Sequence, residues 1–395
     1  MRKELERIDV PGEHEARERS WALIRSAFSE RQPEPKRHSW RLLVAVAAAL
    51  AVVSGLLSPP GRAVLDEVRD AVLPTRVERV ESSLFSLPSS GPSRLLVVSA
   101  EGGGVWAVES DGSRRRLGDY QDARWSPYGR FVVATRKNAL LALTPDGEER
   151  WSLARRNVGL VAWGGTRADT RIAYTARSGL RVVDGDGTGD RLLAPCCDLG
   201  PLAWRPGSQH ELLYLVDGEL RLQRVDSRRI VWRIRLPAFA PRALSWSADG
   251  RRVLIAFGSE LRILDERGRL VRRVRIPVAL EVVSASFAPS RRTIGVLLRS
   301  PGTVTASTRA VLRVLDADRR GPSRELFAGR GDFGELAWSP DGRHLLVAWR
   351  SADRWLFVNR STRYAIAVED IEAQFPRPDG RPPLLFVTDR WCCRR

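Results

Sequence analysis

Four histidines, four cysteines and one run of alternating aspartates are the side chains from which this chain would have to assemble catalysis or a metal site. General acid–base work needs an imidazole or carboxyl within hydrogen-bond reach of a reacting group. His14 and His38 precede an apolar stretch, while His210 and His344 each fall in a turn a few residues after a tryptophan, where a surface role is expected. There is no G-x-S-x-G nucleophile elbow, no H-E-x-x-H zinc helix and no G-x-x-x-x-G-K-S/T phosphate loop. No catalytic residue and no cofactor is expected, and a hydrolase or oxidoreductase is the least favoured function. The run Asp184-Gly185-Asp186-Gly187-Thr188-Gly189-Asp190 offers hard oxygen ligands, so Asp184, Asp186 and Asp190 are the calcium candidates. It lacks the distal bidentate glutamate, and an ordinary hairpin turn is the favoured reading.

The cysteines come as two adjacent pairs, Cys196-Cys197 and Cys392-Cys393, without the C-x-x-C spacing of a zinc site. Neighbours in one strand point to opposite faces, so a disulfide between the two pairs is expected rather than one within a pair. Such a bond requires an oxidising compartment, and buried free thiols are the alternative. The formal charge of +18 comes from 62 arginines and only three lysines (Lys3, Lys36, Lys137), scattered along the whole chain. Nucleic-acid binding calls for clustered charge, and no cluster of that kind stands out. Attraction to an anionic surface, lipid headgroups or wall polymer, fits a diffuse positive charge better.

The frame that must position these residues is repetitive. Segments 122–135, 160–176, 201–216, 243–257, 284–298 and 335–349 share one plan, an aromatic anchor followed by a tight turn and an apolar strand, as in ELAWSPDGRHLLVAW. The anchors are Trp125, Trp163, Trp204, Trp246, Phe287 and Trp338, at spacings of 38, 41, 42, 41 and 51 residues. Proline presets φ and glycine supplies a positive-φ position in the turn, and the following strands are rich in β-branched and aromatic residues. A second strand and an acidic or glycine-rich turn come next, as in LRVVDGDG (180–187) and LRILDERG (261–268).

These units resemble the TolB-like and WD-type repeats of bacterial envelope propellers, which read aromatic-Ser-Pro-Asp-Gly, apolar strand, then a strand ending in Asp-x-Asp-Gly. The layout is also similar to single-span propeller proteins of high-GC actinobacteria. The resemblance covers about residues 95–371 and departs from the pattern at Gly164-Gly165 and Ser290-Arg291. Trp151 and Trp232 are similar to the tryptophans that dock blades in quinoprotein-type propellers. What the resemblance implies is an all-β propeller. Six anchored units plus one shared by the two ends, completed by LLFVT at 384–388, predict seven blades, with six as the alternative.

Ahead of the repeats, Leu42–Leu57 is uncharged and apolar, about 24 Å long as a helix, and is stopped by Pro59-Pro60-Gly61. Arg31, Lys36, Arg37 and Arg41 precede it against Arg62 and Arg69 after it, which puts the N-terminus in the cytoplasm. An uncleaved signal anchor is preferred over a cleaved signal peptide. Glu13–Arg31 reads as an amphipathic helix with Trp21, Ile24 and Phe28 on one side, either docking a cytoplasmic partner or lying on the inner leaflet. The expected organisation is a cytoplasmic segment (1–40), a transmembrane helix (41–58), a juxtamembrane helix and flexible Ser/Pro-rich linker (59–93), a propeller (94–391) and a tail (392–395). The function expected is non-enzymatic binding of an unknown protein or ligand outside the cytoplasmic membrane by a monomeric propeller, in envelope sensing or anti-sigma-like regulation. A scaffold for envelope or cell-wall proteins is the alternative.

Overall fold

In a computed structural model the described residues are 77–80, 85–99, 104–195, 199–207, 209–237, 241–289, 292–319, 321–376, 385–387 and 391–393. The helix expected over Glu13–Arg31, the span Leu42–Leu57, the juxtamembrane helix expected after it (62–73, within 59–93) and Cys196-Cys197 lie outside them. Among the described residues no helix is long and apolar enough to cross a membrane.

The repeats build seven antiparallel sheets, the blades of an all-β propeller. Blades 2 to 7 occupy 122–154, 161–194, 199–235, 243–275, 281–330 and 333–368, each entering on the strand that carries its aromatic anchor. These entry strands neighbour one another in turn around the ring, and Phe333–Trp338 of blade 7 lies beside Leu385–Val387. Blade 1 is assembled from both ends: Arg94–Ser99, Gly104–Glu109 and Arg114–Gly118 are completed by Leu385–Val387, with Val97 opposite Val387 and Ser99 opposite Leu385. Closure by this strand, which the sequence placed at 384–388, removes the open sheet edge that an unfinished ring would expose.

Alternating residues on each strand pack against the blades on either side, so the interior is a circle of seven hydrophobic clusters, one per interface. The six anchors are between 2% and 7% exposed. Two show how an indole ties blades together: Trp204 Nε1 donates to the Ala162 carbonyl of blade 3 at 2.9 Å, and Trp338 Nε1 to the Ser286 carbonyl of blade 6 at 3.2 Å. The degraded turn at Gly164 follows from the same packing, because a Cβ there would collide with the Trp204 ring. Trp151 and Trp232 dock the outer strands in like manner, donating to the carbonyls of Gly185 and Glu266 in the next blade at 3.1 and 2.9 Å.

The linker differs from expectation. Val77–Val80 adds a fifth strand to blade 7, parallel to Ala365–Val368. Phe85 and Leu87 are buried at 5% and 3% exposure in the cluster between blades 7 and 1, where Phe85 meets Trp355 edge-on at 6.2 Å. Serine and proline give that stretch no periodicity, yet two apolar side chains and a pair of bonds from Ser90 to Asp341 fix it to the propeller. The C-terminal segment enters the same cluster through Phe375 and Trp391.

Candidate functional site

Two turns show what the Ser-x-Asp-Gly signature does. Ser247 Oγ and Ser339 Oγ each donate to the aspartate two residues on, Asp249 and Asp341, at 2.6 Å. Burial opposes ionisation of these carboxyls, but the serine bonds and the other donors around them outweigh it and hold both at about 2. Blade 2 has Tyr128 at that position instead. Ser126 Oγ accepts from the backbone N–H groups of Arg130 and Phe131, and the tyrosine, 42% exposed, turns out to the surface.

Tyr128 stands at the mouth of a cleft of about 530 Å³ between blades 2 and 3. Its apolar lining comes from Phe131, stacked on Trp163 at 6.4 Å, and from Trp151. Arg130, Arg150 and Arg167 are exposed around it. Arg130 lies over the Phe131 ring at 5.8 Å and Arg167 over Tyr128 at 5.7 Å. None of these three guanidinium groups forms an ion pair among the described residues. Arg171 at the base is different, bonded to Asp169 and paired with Asp184 at 3.1 Å and Asp226 at 3.3 Å. The cleft therefore combines aromatic surface with three guanidinium groups that form no ion pair among the described residues, the exposed Asp186 carboxylate beside them, and a neutralised base.

The calcium candidates border this region but take separate partners. Asp184 pairs with Arg171, Asp186 accepts from the N–H and hydroxyl of Thr188, and Asp190 faces inward. The Asp190 carboxylate, 7% exposed, accepts from Tyr174 at 2.7 Å and from Arg155 and Arg181. Burial opposes its ionisation, yet the Arg181, Tyr174 and Arg155 bonds hold it below the usual carboxylate range, while burial and Asp190 push the Tyr174 phenol up to about 12. Among the described residues no group of three or more His, Cys, Asp or Glu side chains is placed to hold a metal ion.

His210 is not at the surface. It is 4% exposed, with Nδ1 2.5 Å from Asp226 Oδ2 and Nε2 3.5 Å from Asp169 Oδ2, so both ring nitrogens are engaged with carboxylates of neighbouring turns. His344 is half-buried and bonded to Asn359, and burial pushes its pKa down. On the entry strand of blade 7, Glu335 is pushed up to about 7 by burial, against the pull of Arg350, to which it is bonded. Cys392 and Cys393 are bonded to each other rather than to the upstream pair. The alternation that would part them does not apply, because Cys392 makes only an isolated bridge to Arg94 and belongs to no regular strand. Their sulfurs lie against Gly129, in the turn that carries Tyr128 and Arg130.

No family model and no curated protein matches this chain. Among solved structures it is similar to a chain of the crystal structure of a mitotic checkpoint complex, at 16% identity and a TM-score of 0.50, over 70% of this chain and 87% of that one. It is also similar to the Swd1 β-propeller domain of Myceliophteria thermophila, at 13% identity and a TM-score of 0.47, over 61% and 83%. The first likeness agrees with the blade topology and shows the fold alone, a β-propeller of seven blades.

Proposed function

We propose that this propeller is a non-enzymatic protein-binding module whose cleft between blades 2 and 3 takes an acidic partner segment carrying an apolar or aromatic anchor. The observation that carries this reading is the trio Arg130, Arg150 and Arg167 around the exposed Tyr128. Arginine, tyrosine and tryptophan dominate the energetics of protein interfaces, and the Ser126 bonds already fix the backbone of the turn that carries Tyr128 and Arg130, which leaves only side chains to be ordered there on binding. A peptide library panned on the full chain should enrich aspartate and glutamate flanking tryptophan, tyrosine or leucine. In the Arg130→Glu, Arg167→Glu double variant, binding of the enriched peptides should fall roughly tenfold or more, as for loss of an interface arginine. Unchanged binding would place the peptide elsewhere and sink the cleft.

The apolar run Leu42–Leu57 and the basic residues before it support a second part of the proposal. The chain is tethered to the cytoplasmic membrane with its N-terminus inside and the propeller outside, an arrangement suited to envelope sensing or anti-sigma-like regulation. Deleting residues 42–57 should move the chain from the membrane pellet to the soluble fraction after alkaline extraction. Persistence in the pellet, or solubility of the intact chain, would remove the tether.

A further inference from the structure

The outer strands of blades 4 and 5, Arg229–Arg235 (RIVWRIR) and Leu270–Arg275 (LVRRVR), contain no acidic residue. The outer strands of blades 2 and 6 do, at Glu149 and Glu325, while the fourth strands of blades 1, 3 and 7 also lack one but expose no aliphatic side chain. Including the turns that lead in, 226–235 and 265–275 hold nine arginines against three carboxylates. Alternation along a strand places Arg233 and Arg235 on one side of the first, and Arg273 and Arg275 repeat that order on the second, with Val231 and Val271 at the β-bulge that precedes each pair. Both sets are exposed, and the Trp232 bond to Glu266 holds the two rims side by side. Arg233 and Arg273 reach Glu219 and Glu260 at 3.9 and 3.3 Å, whereas Arg229, Arg235 and Arg275 form no ion pair among the described residues. Interleaved with them, Ile230, Val231, Leu270 and Val271 are 40% to 53% exposed.

We propose that the rim of blades 4 and 5 docks on an anionic lipid bilayer. Guanidinium groups bind phosphate oxygens in a two-pronged fashion, and short aliphatic side chains among them sink into the boundary between headgroups and acyl chains. Protein hot spots set arginine beside tryptophan or tyrosine in a packed pocket, whereas the exposed side chains here are arginine and short aliphatics along two sheet edges. A flat, laterally mobile, negatively charged surface complements the repeat of the same face on two successive blades. The inference stands apart from the cleft and does not require the tether.

Backbone hydrogen exchange of the full chain, mixed with vesicles of phosphatidylcholine alone or of phosphatidylcholine with phosphatidylglycerol, tests it. Amides of 229–235 and 270–275 should exchange roughly tenfold more slowly on the anionic vesicles only, and the protection should fade as salt rises. In the Arg229→Glu, Arg235→Glu, Arg275→Glu variant, whose altered groups carry no ion pair, that protection should vanish. The comparison of two lipids on the unaltered chain stands even where the variant folds poorly. Equal exchange on the two vesicle types would overturn the proposal, as would the same protection from soluble polyglutamate or duplex DNA, which would mark a general polyanion site.

Discussion

Removal of residues 385–395 is expected to abolish cooperative folding of the propeller. The closing strand Leu385–Val387 is what converts Arg94–Ser99 from an open edge into an interior strand. Trp391, 4% exposed and 5.6 Å from Phe357, goes with it, and loss of one buried tryptophan alone costs about 3–5 kcal/mol. Set beside a typical total stability of about 5–15 kcal/mol, the combined loss leaves little or nothing. The seam between blades 7 and 1 would also be opened to water along Leu95, Val97 and Leu346. Near-UV circular dichroism with light scattering during heating would show a broad, non-cooperative melt with aggregation. A truncated chain melting with the transition of the intact one would show that blade 1 closes without its C-terminal strand.

Trp338→Ala should destabilise the intact ring by about 3–5 kcal/mol, read as a lower urea midpoint at unchanged slope. The indole is 3% exposed, fills the blade 6–blade 7 cluster and donates to the Ser286 carbonyl, so alanine leaves a cavity and removes that inter-blade bond. Phe287 occupies the equivalent position in blade 6, which shows that a phenyl ring fits the anchor role. Trp338→Phe is therefore expected to cost only about 1–2 kcal/mol, mainly the lost hydrogen bond. An alanine variant no less stable than the phenylalanine one would mean that the anchor is not an inter-blade wedge.

The circular frame was legible because it rests on local chemistry repeated many times. Trp125 through Trp338 recur at blade spacing, and the entry strands follow them. The closing strand could be inferred because the first three strands lacked a partner. The linker was misread for a physical reason: Phe85 and Leu87 are single apolar residues whose partners, Trp355, Phe357 and Phe375, lie far along the chain. His210 is hidden from the sequence likewise, since Asp226 meets it only when the strands of blade 4 pair and Asp169 only when blade 3 packs against blade 4.

The cleft left one trace in the sequence. Where two other turns have a carboxylate bonded to their serine, the WSPYG turn has Tyr128, and that exchange is what puts an aromatic ring into solvent. The arginines around it carried no signal of their own among 62. Their significance comes from which of them find carboxylates, and that is settled by three-dimensional proximity.

The parallel pairing of Val77–Val80 with Ala365–Val368 also bears on how the propeller takes a mechanical load. A pull on the chain ahead of Val77 first meets a row of inter-strand bonds to a completed blade, and only then the packed segment around Phe85 and Leu87. The closing strand of blade 1 lies behind both. The arrangement works as a cable clamp: tension is handed to the housing before it can reach the joint that holds the ring shut.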